Sequence, residues 1–113
     1  MTKKDRLFVP LSTEPYLDFK EKGKQYEVRS CERAFSEKYV YKGRPVEIRK
    51  GYSGESLNGI IGKVIIGSLE HIMYKLDYKK IEPNAKNKNE AILENKKILG
   101  KKDKYIAFQI LFN

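Results

Sequence analysis

Lys24, Glu27 and Arg29 put an ammonium, a carboxylate and a guanidinium into one short run, Gly23-Lys24-Gln25-Tyr26-Glu27-Val28-Arg29. Such a set could grip a phosphate, read the exocyclic amine of a base or move a proton. A glycine at position 23 can end a helix, and the residues after Lys24 alternate in polarity as a half-buried strand does. Tyr26 and Val28 take one face; Gln25, Glu27 and Arg29 take the other. The charged groups are thereby expected on one rim of a sheet.

A second stretch echoes the first. Val46-Glu47-Ile48-Arg49 carries the pattern of Tyr26-Glu27-Val28-Arg29. If the two strands are neighbours, Glu27, Arg29, Glu47 and Arg49 share a face, where paired opposite charges would be the plainer account. Lys50 follows, and then the loop Gly51-Tyr52-Ser53-Gly54-Glu55-Ser56. Its glycines could turn N–H groups toward an anion and Tyr52 could stack on a base. The loop lacks the Gly-Lys-Ser/Thr ending of a P-loop, and a simple hairpin connection is the plainer reading. Between the two strands, Ser30 to Lys38 has no clean period; with Arg33 and Phe35 it reads as a loop or short helical turn beside the site.

The chain has 113 residues, 40% of them apolar, with eight tyrosines and no tryptophan. That length suits one domain able to bury a core without staples. Cys31 alone excludes an internal disulfide, and with His71 as the one histidine the usual Cys/His zinc site cannot be assembled. No metal or cofactor is expected. No apolar run is long enough to span a membrane and the N-terminus lacks a secretory core, so a cytoplasmic protein is expected. The formal charge of +9 comes from 24 Lys and Arg against 15 Asp and Glu, which favours a polyanion partner. Arg6, Arg29, Arg33, Arg44 and Arg49 all lie in the first half, while the last third carries lysines only. Arginine forks suit phosphate and base edges, so the first half is the expected contact surface.

These groups need positioning elements. Leu7 to Leu11 reads as a short strand stopped by Pro10, and Ser12, Thr13 and Pro15 start a helix to about Lys22 with Tyr16 and Phe19 inward. Tyr39-Val40-Tyr41 leads to a turn at Lys42-Gly43, and Arg44 to Lys50 alternates again. Asn58-Gly59 opens an apolar strand, Ile60 to Gly67, whose glycines suit the bulges of a closing barrel. Leu69, Ile72, Met73 and Leu76 recur at helical spacing. Asn89 is read as the cap of a helix to Leu99 with Ile92, Leu93 and Ile98 inward, ended by Gly100. Tyr105 to Phe112 is the last strand, expected to pair with an early one.

The Lys24-x-x-Glu27-x-Arg29 run, with Gly23 before it and Pro15-Tyr16 to Lys22 leading in, resembles the signature of the ASCH domain, a family with a small β-barrel related to the PUA RNA-binding fold. The family's glycine usually stands two residues before the lysine; here Gly23 adjoins Lys24. The order of elements fits from about Arg6 onward. The resemblance and the element pattern together predict one α+β domain over 1–113, a small mixed β-barrel of five to six strands with two to three helices.

Three functions are compatible with this. The first is an RNA- or nucleotide-binding module with a basic cleft between the signature strand and the loop after Arg49. Lys24, Arg29, Arg33, Arg49 and Lys50 would hold phosphate, Glu27 would read a base edge, and Tyr52, Tyr26 or Phe35 would stack. The second is implied by the resemblance alone: some small bacterial ASCH proteins are amidohydrolases that deacylate modified cytidine with the signature lysine, a threonine at the position of Glu27 and a later glutamate. Lys24 and Glu27 would then be the catalytic pair, completed by Glu82 or Glu90. Glu27 could act as a base but cannot copy a hydroxyl nucleophile, and a catalytic lysine needs burial or a nearby cation such as Arg29. The third is a mobile-element inhibitor that binds a protein or ribonucleoprotein partner.

Overall fold

The computed structural model describes residues 5–113. In chain order it contains β1 (Leu7–Leu11), α1 (Thr13–Glu21), β2 (Tyr26–Ser30), β3 (Pro45–Lys50), β4 (Ser56–Gly67), α2 (Leu69–Lys75), α3 (Lys88–Leu99) and β5 (Tyr105–Phe112). Short 3-10 turns lie at Arg33–Phe35 and Tyr78–Lys80. The strands form one sheet in the order β1-β3-β4-β5-β2. The β1–β3 pair is parallel and the other three are antiparallel. This curled half-barrel with three helices is the α+β class and the small mixed barrel expected from the sequence.

Residue alternation splits the interior in two. Leu7, Val9 and Leu11 of β1, Val46 and Ile48 of β3, Ile61 of β4 and Ile106, Phe108 and Ile110 of β5 fill the concave side, capped by Tyr16 and Phe19 of α1. On the convex side of β2 and β5, Tyr26, Val28, Tyr105 and Ala107 pack against Leu69, Ile72 and Met73 of α2 and Ala91 of α3. The register shift between Ile61 and Val64 falls at Gly62, the kind of bulge by which a long strand changes direction. Strand β1 covers Leu7–Leu11 as expected, and Pro10 is tolerated within it because β1 lies at the sheet edge, where a missing N–H costs no ladder bond.

The condition for a shared Glu/Arg face is not met, and the expected cap of α3 fails. Strands β2 and β3 are not neighbours, since β4 and β5 lie between them. Helix α3 also begins earlier and turns a different face inward: the Asn87 side chain, not Asn89, accepts the Glu90 N–H as the cap. Ala91 and Asn95 are buried and Ile92 packs half-buried against the same cluster as expected, whereas Leu93 and Ile98 are 66% and 72% exposed. A small residue is what lets α3 sit close to β2 and α2, and that choice overrides the bulkier apolar pair.

Gly23, at φ +79°, follows α1 in the left-handed region, and the Lys24 N–H reaches back to the Asp18 carbonyl at 3.1 Å. This is the glycine-dependent close that turns the chain from α1 into β2. Gly23→Ala should cost about 1–2 kcal/mol through the left-handed conformation alone, read as a lowered urea midpoint with an unchanged slope.

Candidate functional site

The two edge strands do not pair, and the gap between them is the candidate site. It is a cleft of about 460 Å³ walled by the start of α1, by β2 and by the last turns of α3. Arg29 spans the gap, its guanidinium donating to the Pro10 carbonyl of β1 at 2.9 Å and to Glu27 Oε2 at 2.7 Å. Its charge also lies 4.6 Å from the centre of the Phe35 ring, which in turn stacks on Phe108.

Lys24 is 5% exposed, and its Nζ donates to the Ile81 carbonyl and lies 3.7 Å from Glu27 Oε1. An ammonium has three donors, so these two partners leave a third, and the Phe19 ring centre lies 5.1 Å from the nitrogen. Glu27, 7% exposed, thus sits between two cations. The segment carrying Ile81 is tied in from the backbone as well, because the Gln25 N–H donates to the Lys80 carbonyl at 2.7 Å. That pairing delivers the next residue, Glu82, to the cleft. Burial raises the Glu82 carboxyl above its ordinary value; Lys24 opposes the shift, while Glu27, Asp18 and Glu94 add to it. Of the two later glutamates, Glu82 lies in the cleft, and Glu90 lies in the first turn of α3 facing the Lys86 N–H.

Asp18 also lines the cleft, and Asn84 braces it. Asp18 is buried, and its carboxylate accepts from the Asn84 amide at 3.1 and 3.2 Å. With Glu14 and Glu94 at the mouth, five carboxylates surround two cations that are already engaged. The cleft is therefore acidic on a basic protein, which corrects the expectation of a basic cleft: Lys24 and Arg29 both pair with Glu27, and a phosphate would meet the remaining carboxylates. Asp18 could have been suspected from its place beside Phe19 in the inward stripe of α1; nothing local to Asn84 points to the site.

The other expected site residues lie elsewhere. Glu47 and Arg49 pair with each other at 2.9 Å on the convex face, whereas Glu27 and Arg29 follow the concave parity of Phe108 and Ile106. The echo in sequence thus points to opposite sides of the sheet. Lys50 pairs with Glu55 at 3.9 Å, and Tyr52 is 79% exposed against Phe8. In the β3–β4 loop, the Gly51 and Gly54 N–H groups donate to the Leu11 and Lys50 carbonyls, so that loop is a hairpin connection and not an anion cradle. Tyr26 is buried against α2 and α3, where burial raises its hydroxyl's pKa. Arg33 lies in a separate hollow. Cys31 is half-buried, and His71 is exposed in the first turn of α2. Among the described residues no group of three or more His, Cys, Asp and Glu could hold a metal ion, and no helix is long and apolar enough to cross a membrane.

No family model matches the chain. No curated protein matches it either. Among solved structures, the hypothetical protein PH0355 has the same fold with a TM-score of 0.78 at 16% identity, covering 96% of this chain and 99% of its own. The protein PF0455 from Pyrococcus furiosus matches with a TM-score of 0.69 at 17% identity, covering 95% and 96%. At such identities the likeness carries the fold alone.

Removing one member of a buried ionic set leaves the others uncompensated. Glu27→Ala should cost about 3–5 kcal/mol, and the double variant Lys24→Met/Glu27→Leu should lose less than the sum of its single changes in a denaturation cycle. Glu82→Gln should do the reverse. A raised carboxyl favours the folded state below its unfolded pKa and loses that contribution as pH rises through the folded one. The variant should therefore melt above the wild type at neutral pH, with the gain vanishing as pH falls below the ordinary value of 4.5.

Proposed function

We propose that the cleft binds a nucleoside-sized ligand, neutral or cationic, and hydrolyses an amide on its base, as the resemblance to the ASCH amidohydrolases implies. The observation that carries this reading is the meeting of Lys24, Glu27 and Glu82 in one cleft. A buried cation with one donor free and a carboxyl of raised pKa are the parts that amide hydrolysis uses. The acidic rim also suits a ligand rich in N–H donors and disfavours a phosphate chain. A cytoplasmic setting goes with such a ligand.

Each group has a distinct task. Glu82, when ionised, takes a proton from water as the water oxygen bonds to the acyl carbon. Lys24 donates its remaining N–H to the acyl oxygen as negative charge develops there. Glu82 then returns the proton to the departing amine nitrogen while the C–N bond breaks, leaving a carboxylic acid and a free base amine. Glu27 is a positioning residue that fixes the ammonium, and Arg29 fixes Glu27. Water as nucleophile removes the need for the threonine hydroxyl that Glu27 cannot replace.

Purified protein incubated with N-acylated cytidines should release the free nucleoside, with product followed by chromatography. Glu82→Gln and Lys24→Met should each lower turnover by about 10²–10⁴-fold. The acid limb of the rate profile should lie above the ordinary carboxylate range, since the base must be ionised. No product from any acylated nucleoside, or full activity in Glu82→Gln, would overturn the proposal.

A further inference from the structure

A second hollow, of about 540 Å³, lies away from the lysine cleft, where the start of β1 meets the Arg33–Phe35 turn and the segment before β3. Arg6, Arg33 and Arg44 converge on it with Phe8 and Tyr39. Neither Arg33 nor Arg44 has an ion-pair partner among the described residues. Arg44 is instead aimed by two backbone carbonyls, donating to Asp5 O at 3.0 Å and Tyr39 O at 2.6 Å. A guanidinium held by carbonyls keeps its full charge and most of its donors.

Arg33 adds a second, independent sign. Its φ of +54° makes it the one non-glycine residue with positive φ among the described residues. A long side chain in that conformation costs free energy that glycine would avoid, and such strain is retained where position matters. The hollow also continues across the sheet. Phe8, 38% exposed, lies 6.2 Å from Tyr52 between ring centres, and Arg49 stands 5.6 Å over the Phe8 ring. Exposed rings thus alternate with arginines along the convex face of β1 and β3. Glu47, the carboxylate within this strip, is engaged by Arg6 and Arg49.

We propose that this strip binds single-stranded nucleic acid, with backbone phosphates at Arg33 and Arg44 and unpaired bases on Phe8, Tyr39 and Tyr52. Charge complementarity selects a polyanion, and exposed rings beside unpaired guanidinium groups select one with aromatic faces to stack. The strip is distinct from the lysine cleft, so this binding does not require hydrolysis to occur there.

The test is fluorescence anisotropy with a labelled uridine oligomer at several salt concentrations. Wild type should bind with an affinity that falls as salt rises. Arg33→Ala/Arg44→Ala should bind at least tenfold more weakly, with the salt slope reduced by about 1.4, near 0.7 for each phosphate no longer neutralised. Because Arg44 also braces the chain, Arg33→Gly is the companion variant: it should melt no lower than wild type, since it relieves the left-handed strain, yet bind more weakly. Phe8→Ala should weaken binding with its slope unchanged. Undetectable binding at low salt, an Arg33→Gly protein that binds as wild type does, or equal affinity for a duplex of the same length would overturn the proposal.

Discussion

A lysine ammonium removed from water must find partners inside the protein, and the position of Lys24 makes the rest of the site follow from that need. Its Nζ meets the Ile81 carbonyl and Glu27, and Glu27 in turn holds Arg29, which reaches the Pro10 carbonyl on the opposite edge strand. One chain of charge-assisted bonds thus connects the end of α1, the 3-10 turn before Ile81, β2 and β1. Its members stand or fall together, because desolvating any one of these charges alone would cost several kcal/mol. The sheet is left open between β1 and β2, and the ionic chain fills the place where a further ladder would have run. An open seam closed by side chains leaves room for a ligand that a hydrogen-bonded seam would not.

The distribution of charge follows from the same geometry. A formal charge of +9 describes the whole surface, yet the cleft gathers Asp18, Glu27, Glu82 and their neighbours around two cations. Net charge speaks for encounter with a polyanion and says nothing about an individual pocket. Arginines that could engage such a partner line a separate hollow beside Phe8. Lys24, Glu27 and Arg29 line the cleft, whereas Arg33, so near them along the sequence, lines a different hollow with Arg44.

Much of the architecture is legible in the residues. Tyr16 and Phe19 mark the buried face of α1, Gly23 marks its end, and the branched, glycine-broken run after Asn58 marks the strand that bends. These signals are local, since capping, alternation and φ preference act over a few neighbours. The face of α3 is a different matter. Ala91 and Asn95 turn inward because α2 and β2 leave space for small side chains there, and no hydrophobic count along the helix could reveal that.

The sequence alone determined the strands and helices and the burial parity within each strand, because these depend on short-range periodicity. It also supplied the site's lysine, glutamate and arginine as a contiguous run. Only the tertiary structure decided that Glu82 and Asp18 join them, that Glu90 does not, and that Glu47 and Arg49 face the other way. Strand order and sheet curl set those meetings, and both arise from long-range packing. Two identical sequence patterns can therefore end on opposite faces of one sheet.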